Sequence, residues 1–396
     1  MMPSILIQTV RPMGGASVDV LVRDGVIAAI APTIPPPEGA EIHDGAGALL
    51  LPGLIEGHAH IDKTVWGGAW YCNQVGATRM DRIVNERNWR RDGHHDTQAA
   101  SLRLARAYIA NGTTRMRSHA DIDPEIGLRN LHATTRTREA LAAVLEMQIV
   151  AFPQSGVVCQ PGVAALMDAA LRDGADVVGG IDPCQIDRDP VRQLDVLFGL
   201  ATKHAKPVDI HLHEPGEMGA FSLDLILERT AALGLHGQVT ISHGFCLGMI
   251  PTADRDALID RMARWDVRIA TTAPSASAVP PLAICRAAGV TVYGGNDGIR
   301  DTWTPYARPD MLDRAMQIGL RNALRRDDEV AIALECVTTE AARGCGFTRY
   351  GLEVGSRGDL VLVDAETVAE AVVAAPVRQL VVAGGRIVAR DGACVV

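Results

Sequence analysis

Two histidines one residue apart, His58 and His60, end the run LLPGLIEGHAHIDKT, in which an apolar stretch leads directly into them. Side chains at i and i+2 of an extended strand share a face, so both imidazoles project the same way at the strand's end. Two convergent nitrogens are half of a metal site. Neutral imidazole suits zinc and iron alike, so the pair does not choose between them. A pair that merely caps a strand is the competing reading; the apolar strand, Gly57 and the Ile-Asp-Lys-Thr that follows favour ligation.

Further polar groups stand at the ends of other short apolar runs. His119 and Asp121 close TTRMRSHAD, Gln154 closes EMQIVAFPQ, and Asp182 closes ADVVGGID. His211, His213 and Glu214 close PVDIHLHE, His243 closes QVTISHG, and Asp297 closes VTVYGGND. A mononuclear hydrolytic site needs enough protein ligands to hold the ion and one open position for water. His58, His60, His211 and Asp297 can surround one divalent ion, Zn2+ or Fe2+, beside which the pKa of water drops from 15.7 to about 7. Asp297 is then the natural base. His243 can hold the attacking water and stabilise charge, and Glu214, three residues after a ligand, can carry a proton to the substrate. The isolated His43, His132, His204 and His236 read as satisfied structural residues.

Other chemistries are excluded by inspection. His213-Glu214-Pro215-Gly216-Glu217 lacks the second histidine of HExxH and contains helix breakers, against a zincin. There is no GxSxG elbow and no P-loop. Pro183-Cys184 is followed by Gln185, Ile186 and Asp187, so the PCxxC of the small zinc deaminases is missing.

The elements that must position these groups are βα units. Eight candidate strands alternate over about 300 residues with helical patterns such as DTQAASLRLARAYIANG, GVAALMDAALRDG and DPVRQLDVLFGLATKHA. Eight is the barrel number, so an α/β fold with a (β/α)8 TIM barrel is expected, its chemistry at the C-terminal strand ends. Residues 1–50 alternate as short strands with a hairpin at Asp24-Gly25, and residues 346–396 do so with one at Gly384-Gly385. The two ends are expected to form one small β-sandwich flanking a barrel over 51–345.

Composition bounds the partners. With 396 residues, 47% of them hydrophobic, the chain can bury a large core. A net charge of −9 with interspersed signs argues against nucleic acid and anionic membranes, leaving a small-molecule substrate. Eight scattered cysteines without a CxxC pair fit reduced thiols, and no leader or ~20-residue apolar span is seen, so a cytoplasmic location is expected. A homo-oligomer is expected as well.

Taken together these residues resemble the amidohydrolase superfamily, and within it the cytosine deaminase branch, over nearly the whole chain. PGLIEGHAHIDKT resembles the family's first-strand metal motif, VAFPQSG its substrate-binding strand, and VDIHLHE its third-ligand strand with the catalytic glutamate. ISHG resembles its sixth-strand histidine and GGNDGIRDTW its last ligand loop. The resemblance implies one metal on His58, His60, His211 and Asp297, catalytic Glu214 and His243, and Gln154 on the heterocycle. It also places Phe152 and Trp303 where the family packs the flat ring. The reaction implied is hydrolysis at an amidine-type ring carbon with release of ammonia or an amine.

Departures from the branch bear on substrate. Where the cytosine deaminase pattern has an aspartate after the metal aspartate, this chain has Gly298; where that pattern has HCDE, it has His211-Leu212-His213-Glu214. HxDK ending in Lys63, with His213, resembles the N-isopropylammelide aminohydrolase side, so Lys63 and His213 become substrate-contact candidates, against a rim lysine paired with Asp62. Asp62, Asp182 and Asp301 are candidates to reach the place Gly298 leaves. A triazine, a pterin or a cyclic amide is the alternative substrate to a cytosine-like ring. A cyclic amidohydrolase would usually bridge two metals with a lysine on strand four, and VVGGID has none.

Overall fold

The computed structural model describes residues 4–92 and 95–396. Eight parallel strands lie side by side in chain order: Leu54–Ala59, Thr113–Asp121, Glu146–Phe152, Val177–Ile181, Val208–Leu212, Val239–His243, Arg268–Thr271 and Val292–Gly294. We number them as barrel strands one to eight. Each coincides with one of the eight runs expected from sequence. A parallel bridge between Ala59 and Asp297 joins the two ends of the series. Most strand residues are buried on both faces, which is why the strands read as continuous apolar runs.

Helices Thr97–Ala110, Val163–Arg172 and Pro190–His204 fall on the predicted segments. Local chemistry sets their starts: the Asp96 side chain accepts from Ala99 N, and Asp189 accepts from Arg192 N with Pro190 at the first helical position. Leu104, Leu131, Met167, Leu194 and Ile226 from successive helices pack with the strands into one core.

Both termini build the second layer. Nine strands, five from residues 5–52 and four from residues 360–394, form a mostly antiparallel sheet that makes the expected β-sandwich. Asp24 and Gly25 turn with φ of 49° and 79°, and Gly384 and Gly385 with 55° and 74°, the left-handed pair a tight hairpin requires. Strand Leu49–Pro52 pairs antiparallel with Leu360–Val363 and so ties the first segment to the last. Its alternation serves two cores: Leu49 and Leu51 join the barrel core, while Leu50 packs with Ile5, Val20 and Leu380. Residues 1–3 of the expected N-terminal part lie outside the described residues.

Among the elements the sequence did not announce is a polar helix after strand one. Helix Arg79–Asp92, RMDRIVNERNWRRD, follows strand one and carries charge all round, so no 3.6-residue apolar stripe announces it. Ion pairs to the loops of other strands hold it: Arg79 to Asp182 at 2.9 Å, Arg87 to Asp123 at 2.8 Å, and Arg90 to Asp121. Among the described residues no helix is long and apolar enough to cross a membrane.

Candidate metal centre and active site

The C-terminal ends of strands one and five bring His58, His60 and His211 together in the barrel. All three are buried, and Nε2 of His60 stands 3.2 Å from Nε2 of His211. Oδ1 of Asp297, just beyond strand eight, is 3.3 Å from His60 Nε2 and 3.9 Å from His58 Nε2. Burial pushes all three imidazoles well below their ordinary pKa, so they are neutral and keep a lone pair. Neutral nitrogens this close, with His58 Nε2 buried and unpartnered, are poorly placed for one another and well placed for a cation between them. The expected ligand residues therefore meet, and they fit one divalent ion. His119 joins them from strand two, with ligand atoms of His58, His60, His119 and His211 all within 4.8 Å of one another.

A buried relay sets the tautomer of His58. Ser242 Oγ donates to Asp209 Oδ1 at 2.6 Å and lies 2.9 Å from His58 Nδ1. Burial alone would raise the Asp209 carboxyl, but His119 and the Arg117 guanidinium hold it below the usual range, so it is an acceptor only. The one hydroxyl proton is thus committed to Asp209, Ser242 accepts from His58 Nδ1–H, and Nε2 is left bare. His119 Nδ1 likewise carries a proton, since Ala59 O, 3.2 Å away, can only accept.

Several non-glycine residues at the mouth adopt left-handed backbone, among them His243 at φ 71° and Asp297 at φ 65°, a cost that clusters at functional sites. His243 Nε2, buried and unpartnered, lies 3.9 Å from Asp297 Oδ2. Burial lowers the His243 pKa to about 3, so it is a neutral imidazole. Desolvation would raise Asp297, but the groups around it, Lys63 the fixed cation among them, reverse this and keep it a carboxylate.

These groups open into a cavity of about 440 Å³ whose wall includes Lys63, Phe152, Gln154, His213, Asp301 and Trp303. Lys63 is buried and donates to Gln154 Oε1 at 2.7 Å, with Asp121 and Glu86 at 3.5 and 3.6 Å. No direct pair with Asp62 forms; Asp62 Oδ2 instead accepts from Asp121 N and Asn130 Nδ2. Phe152 stacks on the His211 ring at 4.2 Å, and Trp303, 5.2 Å from Lys63 Nζ, donates its indole N–H to Glu86. His213 stacks on His243 at 4.1 Å and binds Asp182 through Nδ1 at 2.9 Å.

Glu214 is placed differently from its neighbours. It is fully buried, and its carboxylate turns into the Pro183–Asp187 turn, accepting from Cys184 N at 2.6 Å, Gln185 N at 2.7 Å and Ser222 Oγ at 2.5 Å. Burial nevertheless raises its pKa against these bonds.

Several residues around the site were missed in the sequence. Asp209 had a usable signal, because it sits two residues before His211 and so shares its face. Ser242 had none, since its neighbour His243 points elsewhere. Glu56, which accepts from His58 N at 2.9 Å and from Asn296 Nδ2 at 2.8 Å, reads in sequence as an anomalous charge inside a strand. Glu86 and Arg90 come from the unanticipated polar helix.

The amidohydrolase family model matches residues 41–395. The protein YahJ of Escherichia coli is 35% identical over 74% of this chain, which spans 65% of that relative's length. The N-isopropylammelide isopropyl amidohydrolase of Pseudomonas is 28% identical over 88% of each chain. Among solved structures, N-isopropylammelide isopropylaminohydrolase of Burkholderia multivorans superposes over 100% of both chains with 58% identity and a TM-score of 0.97. The 5-methylcytosine deaminase of Klebsiella pneumoniae does so over 97% of both with 26% identity and a TM-score of 0.87. On these matches the chain belongs to the amidohydrolase family as a hydrolytic enzyme of the deaminase type, acting on carbon–nitrogen bonds.

Proposed function

We propose that this enzyme removes an alkylamino or amino group from a small oxo-substituted nitrogen heterocycle, with an N-isopropylammelide-type triazine ahead of cytosine. The observation that carries the reading is the Lys63–Gln154 pair on the cavity wall. Lysine can only donate, so Gln154 must turn its oxygen to Lys63 and its amide nitrogen away. Two donors then face a ring whose natural complement is carbonyl oxygen. The solved neighbour of 58% identity carries an activity of this kind in its name.

His58, His60, His211 and Asp297 would hold a zinc or ferrous ion, which would supply the Lewis acidity to make a water nucleophilic near neutral pH. The carboxylate of Asp297 receives the proton that water loses as it adds to the ring carbon, and the unpartnered Nε2 of His243 orients the water. Glu214, protonatable because it is buried, passes a proton to the leaving nitrogen once its carboxyl leaves the Pro183–Asp187 turn. The carbon–nitrogen bond breaks with the pair on the departing nitrogen, the added hydroxyl passes its remaining proton to the ring nitrogen, and the proton on Asp297 returns to Glu214, giving a free amine and a ring carbonyl.

The test is release of isopropylamine or ammonia by zinc- and iron-loaded protein across alkylaminotriazines, cytosine, pterins and cyclic amides. Turnover of N-isopropylammelide at least about 10²-fold above cytosine in kcat/KM is expected. Preference for cytosine or for a cyclic amide sinks the reading.

A further inference from the structure

Asp301 is a substrate-recognition candidate that the reaction above does not use. The chain turns back on itself after the Asp297 ligand, and Asp301 Oδ1 caps that turn, accepting from Trp303 N at 2.8 Å and Thr304 N at 2.9 Å. Its other oxygen has a different setting. Oδ2 lies 1.9 Å from the point where a Cβ on Gly298 would stand, so it occupies the space that any side chain at 298 would need. No group among the described residues donates to Oδ2, although Asp301 is only 2% exposed and lines the cavity beside Asp297 and Lys63. Oδ2 keeps access to the cavity rather than being sealed in protein, so an arriving ring N–H can supply the donor it lacks.

We propose that Asp301, seated over Gly298, is the hydrogen-bond acceptor that selects substrates carrying an N–H on the ring edge next to Asp297. The side-chain-free Gly298 makes room for a carboxylate delivered from three residues further along, in place of one attached at 298 itself. This inference rests on the heterocycle reading and sharpens it. With donors on Lys63 and Gln154 and an acceptor on Asp301, the wall matches a ring edge that presents carbonyl oxygens and an adjacent N–H. A ring methylated at that nitrogen, or one presenting only acceptors there, is rejected.

Asp301→Asn is a directed test because the turn fixes the orientation of the amide. The Trp303 and Thr304 N–H groups require the carbonyl oxygen at the Oδ1 position, so NH2 must fall where Oδ2 was, and the acceptor becomes a donor. Gly298→Ala is the second variant. Its backbone is not in the left-handed region, and its methyl group displaces Oδ2 while the carboxylate itself is retained.

Zinc-loaded wild type and both variants are compared by kcat and KM for N-isopropylammelide and by calorimetric binding of cyanuric acid, the trioxo ring left when the amine departs. Hydrogen bonds to charged groups are worth about ten- to a hundredfold, so each variant should lose about that factor in kcat/KM and in cyanuric acid affinity. Zinc content should stay at the wild-type level. Variants within about threefold of wild type in both measurements reduce Asp301 to a turn cap and overturn the proposal. If wild type turns over none of the rings, the heterocycle reading fails on its own, and calorimetry still decides Asp301. Equal affinity, or no binding to any of the three proteins, overturns it.

Discussion

The backbone N–H of Asp297 donates to the carbonyl of His58 at 2.8 Å, so the hydrogen bond that draws strand eight's loop onto strand one also sets a carboxylate beside an imidazole. Ala59 and Asp297 pair as a bridge at the same place. The candidate metal ligands and barrel closure thus share one joint, and Glu56 reinforces it by binding both His58 N and Asn296 N.

Chelating the metal should consequently loosen the barrel as well as stop the reaction. One equivalent of zinc or iron per chain is expected, with a melting temperature that rises as free metal increases, since ligand at 100 times its Kd adds about 2.7 kcal/mol. His211→Ala should abolish metal retention and turnover together. Metal analysis with melting curves checks this, and two equivalents in fully active protein would refute a single-metal centre.

Ser242→Ala removes the acceptor that fixes His58 Nδ1–H and leaves Asp209 without its hydroxyl donor. Groups that orient a metal histidine typically contribute 10- to 100-fold in affinity or activity, so a loss of about that size in metal affinity is expected. Competition against a chromogenic chelator measures it. Unchanged affinity would mean the His58 tautomer is set elsewhere.

Glu214→Gln should keep metal and fold while lowering kcat by about 10²- to 10⁴-fold, the usual contribution of a general acid or base. The amide can still accept from Cys184 N and Gln185 N, so the turn it supports survives. A variant within a few-fold of wild type would leave Glu214 as a structural anchor for the Pro183–Asp187 turn.

Asp182 links stability to acid. Burial would raise its carboxyl, but His213 and Arg79 together hold it below the usual 3.8. A depressed carboxyl contributes stability above its unfolded pKa and loses that contribution as pH falls through the folded value. Asp182→Asn should therefore be less stable than wild type at pH 7 and lose less stability on acidification below about pH 4. Urea unfolding at several pH values reads the difference, and parallel pH profiles for the two proteins would exclude this role.

Much of the site was legible because its geometry is local. His58 and His60 share a face by strand alternation, and the same rule carries Asp209 with His211, although only the latter was recognised. Convergence of distant strand ends followed from barrel topology, which brings eight C-terminal ends to one mouth. Spacing alone put Glu214 among the reacting groups. Its burial in the Pro183–Asp187 turn depends on Cys184, Gln185 and Ser222, which strand periodicity does not register. The helix Arg79–Asp92 escaped because ion pairs to other loops, rather than an apolar stripe, hold it in place.

By itself the sequence determined the donor types and the strands that carry them, since imidazole and carboxylate chemistry and period-two alternation require no distant contact. Tertiary structure decided which proton each donor keeps and which carboxylate fills the space beside Gly298. His58 owes its bare Nε2 to Ser242, 184 residues away, and Lys63 faces Gln154, 91 residues away, rather than its neighbour Asp62. Asp301 could be named from the chain as one of three candidates for the space beside Gly298. Only the path of the loop shows that its oxygen sits there, because turn geometry is set by the packing around it and not by the order of its residues.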